Sequence, residues 1–161
     1  MLSEIMSKDF CAKCKFCCSF RRCSLWETPL FPPEVAHKYM DTGYDFEVNE
    51  SFARMILIDK YKTEDEEEEA MCHFLNPNSG CTLDDNEKPF DCKIWPLRVM
   101  KKEEQYVITL SQSCPQAIEL GVAAYKKILD NGLKDVIHEY ALSNIYIIKP
   151  YIEGYPILCE L

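Results

Sequence analysis

The chain has 161 residues, 47% hydrophobic and 12% aromatic, with a formal net charge of −9. That length suits one domain with a real buried core, and the acidic balance argues against a general nucleic-acid binder, which needs a basic face to replace phosphate counterions. Ten cysteines are several times ordinary usage and call for a chemical role rather than a stabilising one.

The first residues carry acids and no apolar run of signal-peptide length, and no later stretch reaches the apolar length of a membrane span. The expectation is a cytoplasmic protein with no membrane attachment. In a reducing cytosol, clustered cysteines bind metal or do redox chemistry more often than they form disulfides.

The run Cys11-Ala-Lys-Cys14-Lys-Phe-Cys17-Cys18 places four thiols within eight residues. C-x2-C-x2-C spacing turns three sulfurs toward one point, as in loops that hold iron–sulfur clusters, so Cys11, Cys14 and Cys17 can share one centre. On an extended backbone Cys18 points to the other face, where it serves a second site, a bridge, or remains a thiol. Lys13 and Lys15 interleave the cysteines and leave no apolar face to bury. With Arg21 and Arg22 they form a small basic patch that lowers thiol pKa values and offsets thiolate charge.

Residues 19–33 read as an irregular segment wrapped over this loop and containing Cys23 and Trp26. A short helix follows over 34–40, entered at Pro33 and left at Gly43, with His37 on its surface. Residues 52–61 have the aliphatic density of a strand. The acidic run from Thr63 to Glu69 reads as a solvated, mobile loop without a metal role.

Asn76-Pro-Asn-Ser-Gly80 is turn chemistry that brings Cys72 toward Cys81. A short helical turn then separates Cys81 from Cys92. Residues 97–101 and 105–110 read as a hairpin joined through Lys102-Glu-Glu, its second arm buried on both sides. It delivers Cys114 to a helix start, with Pro115 at the first helical position, where the dipole favours a thiolate.

Ile118, Val122, Tyr125, Ile128 and Leu129 mark an amphipathic helix that stops at Asn131-Gly132, and Leu133, Val136, Ile137, Tyr140 and Ala141 mark a second one, with His138 on its surface. The apolar, aromatic segment from Ile145 to Cys159 either closes the core as an edge or offers a surface to a protein partner.

Setting aside Cys23 and Cys159, eight cysteines remain: Cys11, Cys14, Cys17, Cys18, Cys72, Cys81, Cys92 and Cys114. They make two four-sulfur sites, or one iron–sulfur cluster with thiols to spare.

The chain resembles the YkgJ-type cysteine-cluster proteins, described as a zinc- or iron-chelating domain. The resemblance rests on the N-terminal C-x2-C-x2-C-C run, Cys72-His-Phe-Leu, Gly80-Cys81-Thr-Leu, Pro89 ahead of Asp91-Cys92, Trp95-Pro96, and Cys114. It spans about residues 10–115. Departures are His73, Lys88, Lys93 and Trp95, where the family has proline, arginine, arginine and phenylalanine. His73 reads as an extra ligand, a donor to a ligand, or a surface residue.

The resemblance implies metal binding by the shared cysteines and leaves the metal open. The spacing of the first run favours a 4Fe-4S cluster on Cys11, Cys14 and Cys17 with a remote fourth ligand, Cys92 or Cys114; zinc is the other choice. The expected fold is α+β, a single domain over 1–161 with a metal lobe over about 10–115, a short hairpin, and a helical part over about 116–161.

The leading functional expectation is a metal-binding protein whose metal is structural or serves metal handling or electron transfer. Flagellin lysine N-methylases carry a similar cysteine cluster, so a component of a protein-modifying enzyme is a second expectation, although the chain has no evident nucleotide or S-adenosylmethionine loop. A redox-responsive interaction protein acting through Cys18 or Cys23 is a third.

Overall fold

The computed structural model describes residues 2, 5–6, 8–21 and 27–161, so the expectations for Arg22, Cys23 and Trp26 lie outside the described residues. The fold is α+β. It divides into two compact units, Lys8–Lys93 and Ile94–Leu161, the latter taken with Met1–Ser7. The hairpin therefore groups with the C-terminal helices and not with the cysteine lobe. Its apolar runs are buried on both faces, which requires cover that elements late in the chain supply.

In chain order the cysteine unit contains α1 (Lys8–Cys14), β1 (Ser19–Arg21), β2 (Leu30–Phe31), α2 (Pro33–Met40), β3 (Phe46–Val48), β4 (Ala53–Met55), β5 (Glu69–Met71), β6 (Leu75–Asn76), β7 (Gly80–Cys81) and α3 (Phe90–Ile94), whose last residue belongs to the other unit. Its strands are short and form three small sheets, β1-β5, β2-β4-β3 and β6-β7. Phe20 lies opposite Ala70 in the β1-β5 pair and both are buried, while Ser19 and Met71 point the other way. The Ser19 hydroxyl donates to Glu69 at 2.5 Å on that outer side.

The core of this unit is aromatic. Phe74 is 2% exposed and its ring centroid lies 5.7 Å from Phe31, 4.7 Å from Tyr39 and 5.0 Å from Tyr44. Phe20, Met55, Leu57 and Leu83 complete the cluster, and Cys72 packs against it.

The strand expected over 52–61 is shorter. After β4 the Ile56 N–H turns to the Asp45 carbonyl at 2.9 Å, and a 3-10 turn follows over Ile58–Lys60. The acidic loop is tied at one end. Glu68 accepts from the N–H groups of Lys62 and Thr63 and from the Thr63 hydroxyl, each at 2.7 Å, and Glu67 pairs with Arg21 at 2.9 Å.

The second unit is built on a four-stranded sheet in the order β10 (Lys149–Pro150), β8 (Leu97–Lys102), β9 (Gln105–Leu110), β11 (Ile157–Glu160). β8 (Leu97–Lys102) and β9 (Gln105–Leu110) pair in register from Leu97 opposite Leu110 to Lys102 opposite Gln105. The expected hairpin is present, with Leu97–Met100 and Val107–Leu110 buried throughout. After α4 (Pro115–Ile128) and α5 (Lys134–Ser143), the C-terminal segment supplies both outer strands, β10 (Lys149–Pro150) and β11 (Ile157–Glu160). Ile147 and Leu158 are buried with them, as expected of a segment that closes the core.

The helix over 115–128 departs from its expected phase. Gly121 sits at φ 75°, ψ 166° and breaks the helix internally. Beyond the break Tyr125, Ile128 and Leu129 are buried, whereas Ile118 and Val122 are 67% and 38% exposed. Among the described residues no helix is long and apolar enough to cross a membrane.

Candidate metal centre

Cys11 and Cys14 stand one helical turn apart on α1, a spacing that puts both on one side of the helix. The helix ends where Lys15 adopts φ 59°. Cys17 and Cys18 follow in a 3-10 turn over Phe16–Cys18. The extended backbone expected at this pair is therefore absent. Three residues per turn set the two side chains about 120° apart rather than on opposite faces.

Two backbone links bring the distant cysteines to this run. The Cys72 N–H donates to the Cys18 carbonyl at 2.8 Å, carrying the β1-β5 ladder one step past β5. The Cys72 carbonyl in turn accepts from the Leu75 N–H at 3.1 Å, and Leu75 lies opposite Cys81 across β6-β7. The Asn76 side chain stabilises the intervening turn by accepting from the Asn78 N–H at 2.8 Å and the Ser79 N–H at 3.2 Å.

Gly80 closes the arrangement. A Cβ there would lie 3.3 Å from the Ala12 Cβ, so α1 sits close on β7 and a side chain at 80 would push it back by a few tenths of an ångström. Its φ of +85° is a second reason for glycine.

The thiols differ in environment. Cys11, Cys14, Cys17, Cys18 and Cys72 are half-buried, and Cys81 and Cys92 are exposed. Burial pushes the Cys72 thiol up to about 12, and neighbouring Cys81 and Cys17 add to the rise, while a hydrogen bond from the Phe74 N–H to the sulfur opposes it. A backbone N–H two residues ahead, donated to a cysteine sulfur, favours its thiolate form.

Lys88 is a contributor that spacing alone does not reveal; its sequence signal is only the Lys88-Pro89 pair before Cys92. Burial pulls its ammonium down, but the Asp85 hydrogen bond and the charges of Asp85, Cys81 and Cys92 outweigh this and hold it above its ordinary value. Lys88 reaches Asp85 at 2.8 Å.

The remaining expected residues are placed as follows. Cys92 lies on α3, its N–H bonded to the Pro89 carbonyl at 3.0 Å. Cys114 is buried at the N-terminal cap of α4 with Pro115 in the first turn, as expected, but belongs to the other compact unit. Cys159 is on β11, where burial raises its thiol pKa. His73 places Nε2 3.0 Å from the Ile56 carbonyl; a carbonyl only accepts, so Nε2 carries the proton. Its ring meets Tyr44 at 5.4 Å. His37 and His138 are exposed.

The nine described cysteines are thiols rather than disulfides. Among the described residues no three His, Cys, Asp or Glu side chains stand in a ready-made metal shell. The cysteines of 11–18, 72 and 81 offer only sulfur donors, a set that suits zinc or an iron–sulfur cluster and not a hard cation. The chain matches no family model, no curated protein and no solved structure.

Proposed function

We propose that this chain is a cytoplasmic metal-binding protein that holds an iron–sulfur cluster or zinc on cysteine thiolates of its first unit. The observation that carries the reading is the backbone bond between Cys72 and Cys18, together with the seat of α1 on Gly80. These links bring three separate cysteine segments to one place in a fold whose core does not need them as disulfides.

In this reading Cys11, Cys14 and Cys17 are joined by Cys72 and Cys81. Cys92 and the buried Cys114 belong to the wider set that the YkgJ-type resemblance implies. A cubane cluster would supply one-electron transfer, and zinc a redox-silent charge that holds the fold. The chain's own residues do the rest. Cys72 is fixed by the aromatic core, the Phe74 N–H offsets part of its thiolate charge, and Lys88 offsets charge near Cys81 and Cys92.

The reducing cytoplasm keeps such thiols available, and the all-cysteine donor set supports a role in metal handling or electron transfer. Metal and sulfide analysis of protein purified without oxygen tests it. Iron with matching sulfide, or zinc without sulfide, is the expected result. Protein free of both after growth in metal-replete medium, and unable to take up either, would refute the reading.

A further inference from the structure

The antiparallel ladder of β1 and β5 ends on cysteines. Ser19 lies opposite Met71, so one step further along Cys18 lies opposite Cys72, and the Cys72 N–H donates to the Cys18 carbonyl at 2.8 Å. Cys17 precedes Cys18 in the same 3-10 turn. All three are half-buried thiols, within reach of a small oxidant.

Opposed residues of an antiparallel ladder that share a hydrogen bond keep their Cα atoms about 5.5 Å apart, inside the span of about 4.4–6.8 Å that a disulfide bridges. The Cys18 N–H turns back to the Lys15 carbonyl at 2.9 Å, so the ladder end is held by one bond and is free to twist. Cys11 and Cys14 compete less well. Helical residues three apart hold their Cβ atoms about 5–6 Å from one another, beyond the about 3.5–4.5 Å of a disulfide, and the Lys15 N–H fixes that turn on the Cys11 carbonyl at 3.0 Å.

We propose that the Cys17-Cys18 turn and Cys72 form an oxidation-sensitive clasp, in which a disulfide between the turn and Cys72 staples the end of the first cysteine run to β5. The bond needs no metal and stands apart from the reading above. Since these residues are also candidate ligands, its formation would withdraw two sulfurs from them.

Glutathione disulfide serves as oxidant. A thiolate of the turn attacks one of its sulfurs and expels one glutathione, and the Cys72 thiolate then attacks the mixed disulfide and expels the second. Two protein thiols are oxidised, one glutathione disulfide is reduced to two glutathione molecules, and the two protons lost by the protein end on the leaving sulfurs.

Reduced, metal-free full-length chain is exposed to a series of glutathione redox buffers, alkylated with iodoacetamide, cut with chymotrypsin and mapped by mass spectrometry. Cleavage after Phe74 separates Cys72 from Cys81. The expected first product is a cross-link between the fragment carrying Cys17 and Cys18 and the fragment carrying Cys72, with loss of two alkylatable thiols and return of both on reduction. Cys81→Ser should keep the cross-link and Cys72→Ser should lose it. A first bond between Cys72 and Cys81 or between Cys11 and Cys14, or glutathione left on the protein with no internal bond, would overturn the proposal. The wild-type map alone decides this if a variant does not fold.

Discussion

The Cys72 N–H reaches the Cys18 carbonyl at 2.8 Å, so the end of the first cysteine run and the first distant cysteine are neighbours on one antiparallel ladder. The proposed centre depends on this juxtaposition, while burial, with smaller contributions from Cys81 and Cys17, makes Cys72 sensitive to pH. Its folded pKa of about 12 lies above the ordinary value of 9.0. For a raised pKa the stabilisation is complete below the unfolded value and is lost as pH rises to the folded one. Metal-free protein should therefore lose stability between about pH 9 and 12, and denaturant melts of wild type and Cys72→Ala across that range should converge as pH rises. Parallel curves would contradict the assignment.

Gly80 sets the seat of α1. Gly80→Ala meets both a positive φ and the Ala12 side chain at 3.3 Å, and should cost about 1–3 kcal/mol together with a loss of metal affinity. Gly43→Ala shares a positive φ, at +94°, but has open space around it. It should cost less and leave metal affinity unchanged. Chemical denaturation and metal titration of both variants separate steric from conformational effects.

Phe74 is the ring on which Phe31, Tyr39 and Tyr44 converge. Removing it should cost about 3–5 kcal/mol. Because its backbone N–H also serves Cys72, Phe74→Leu should retain most metal affinity while Phe74→Ala loses it. Equal affinities for the two variants would separate the core from the centre.

Tyr39 donates to Glu87 at 2.6 Å, and Lys38 bonds the same carboxylate, joining α2 to the loop before α3. Lys38 and Tyr39 hold Glu87 below the usual carboxylate range, and Glu87 in turn pushes Tyr39 up to about 12. The lowered carboxylate contributes above its unfolded value of 4.5 and is lost in acid; the raised phenol contributes below 10.0 and is lost in alkali. Ultraviolet titration should show a late-ionising tyrosine that moves back toward 10.0 in Glu87→Gln. An unchanged titration would deny the contact.

On the proposed reading, chelation should loosen the unit over Lys8–Lys93 before the unit over Ile94–Leu161, since metal binding is coupled to ordering of its ligands. Hydrogen exchange on loaded and chelated protein reads this directly. Faster exchange confined to β8 and β9 would contradict it.

The hairpin of β8 and β9 was legible in sequence because its two apolar runs flank a polar turn, a local signal. The helix over 133–143 and its neighbour's stop at Asn131-Gly132 were legible for the same reason. Gly121 misleads: a single residue at φ 75° rephases α4, so Ile118 and Val122, in step with the core by periodicity, face solvent. At the site, spacing read the run as a loop, whereas residues 8–14 are helical. The partition between Cys72, Cys81, Cys92 and Cys114 is set by tertiary pairing, and no local pattern encodes it. The charge coupling of Lys88 to Cys81 and Cys92 arises in the same way.

X-ray absorption at the metal edge, on protein isolated without oxygen, tests the central claim most directly. The account predicts a first shell of sulfur alone, at about 2.3 Å if the metal is zinc, that loses sulfur in Cys72→Ser. A shell of nitrogen and oxygen, or a sulfur shell indifferent to Cys72, would contradict it.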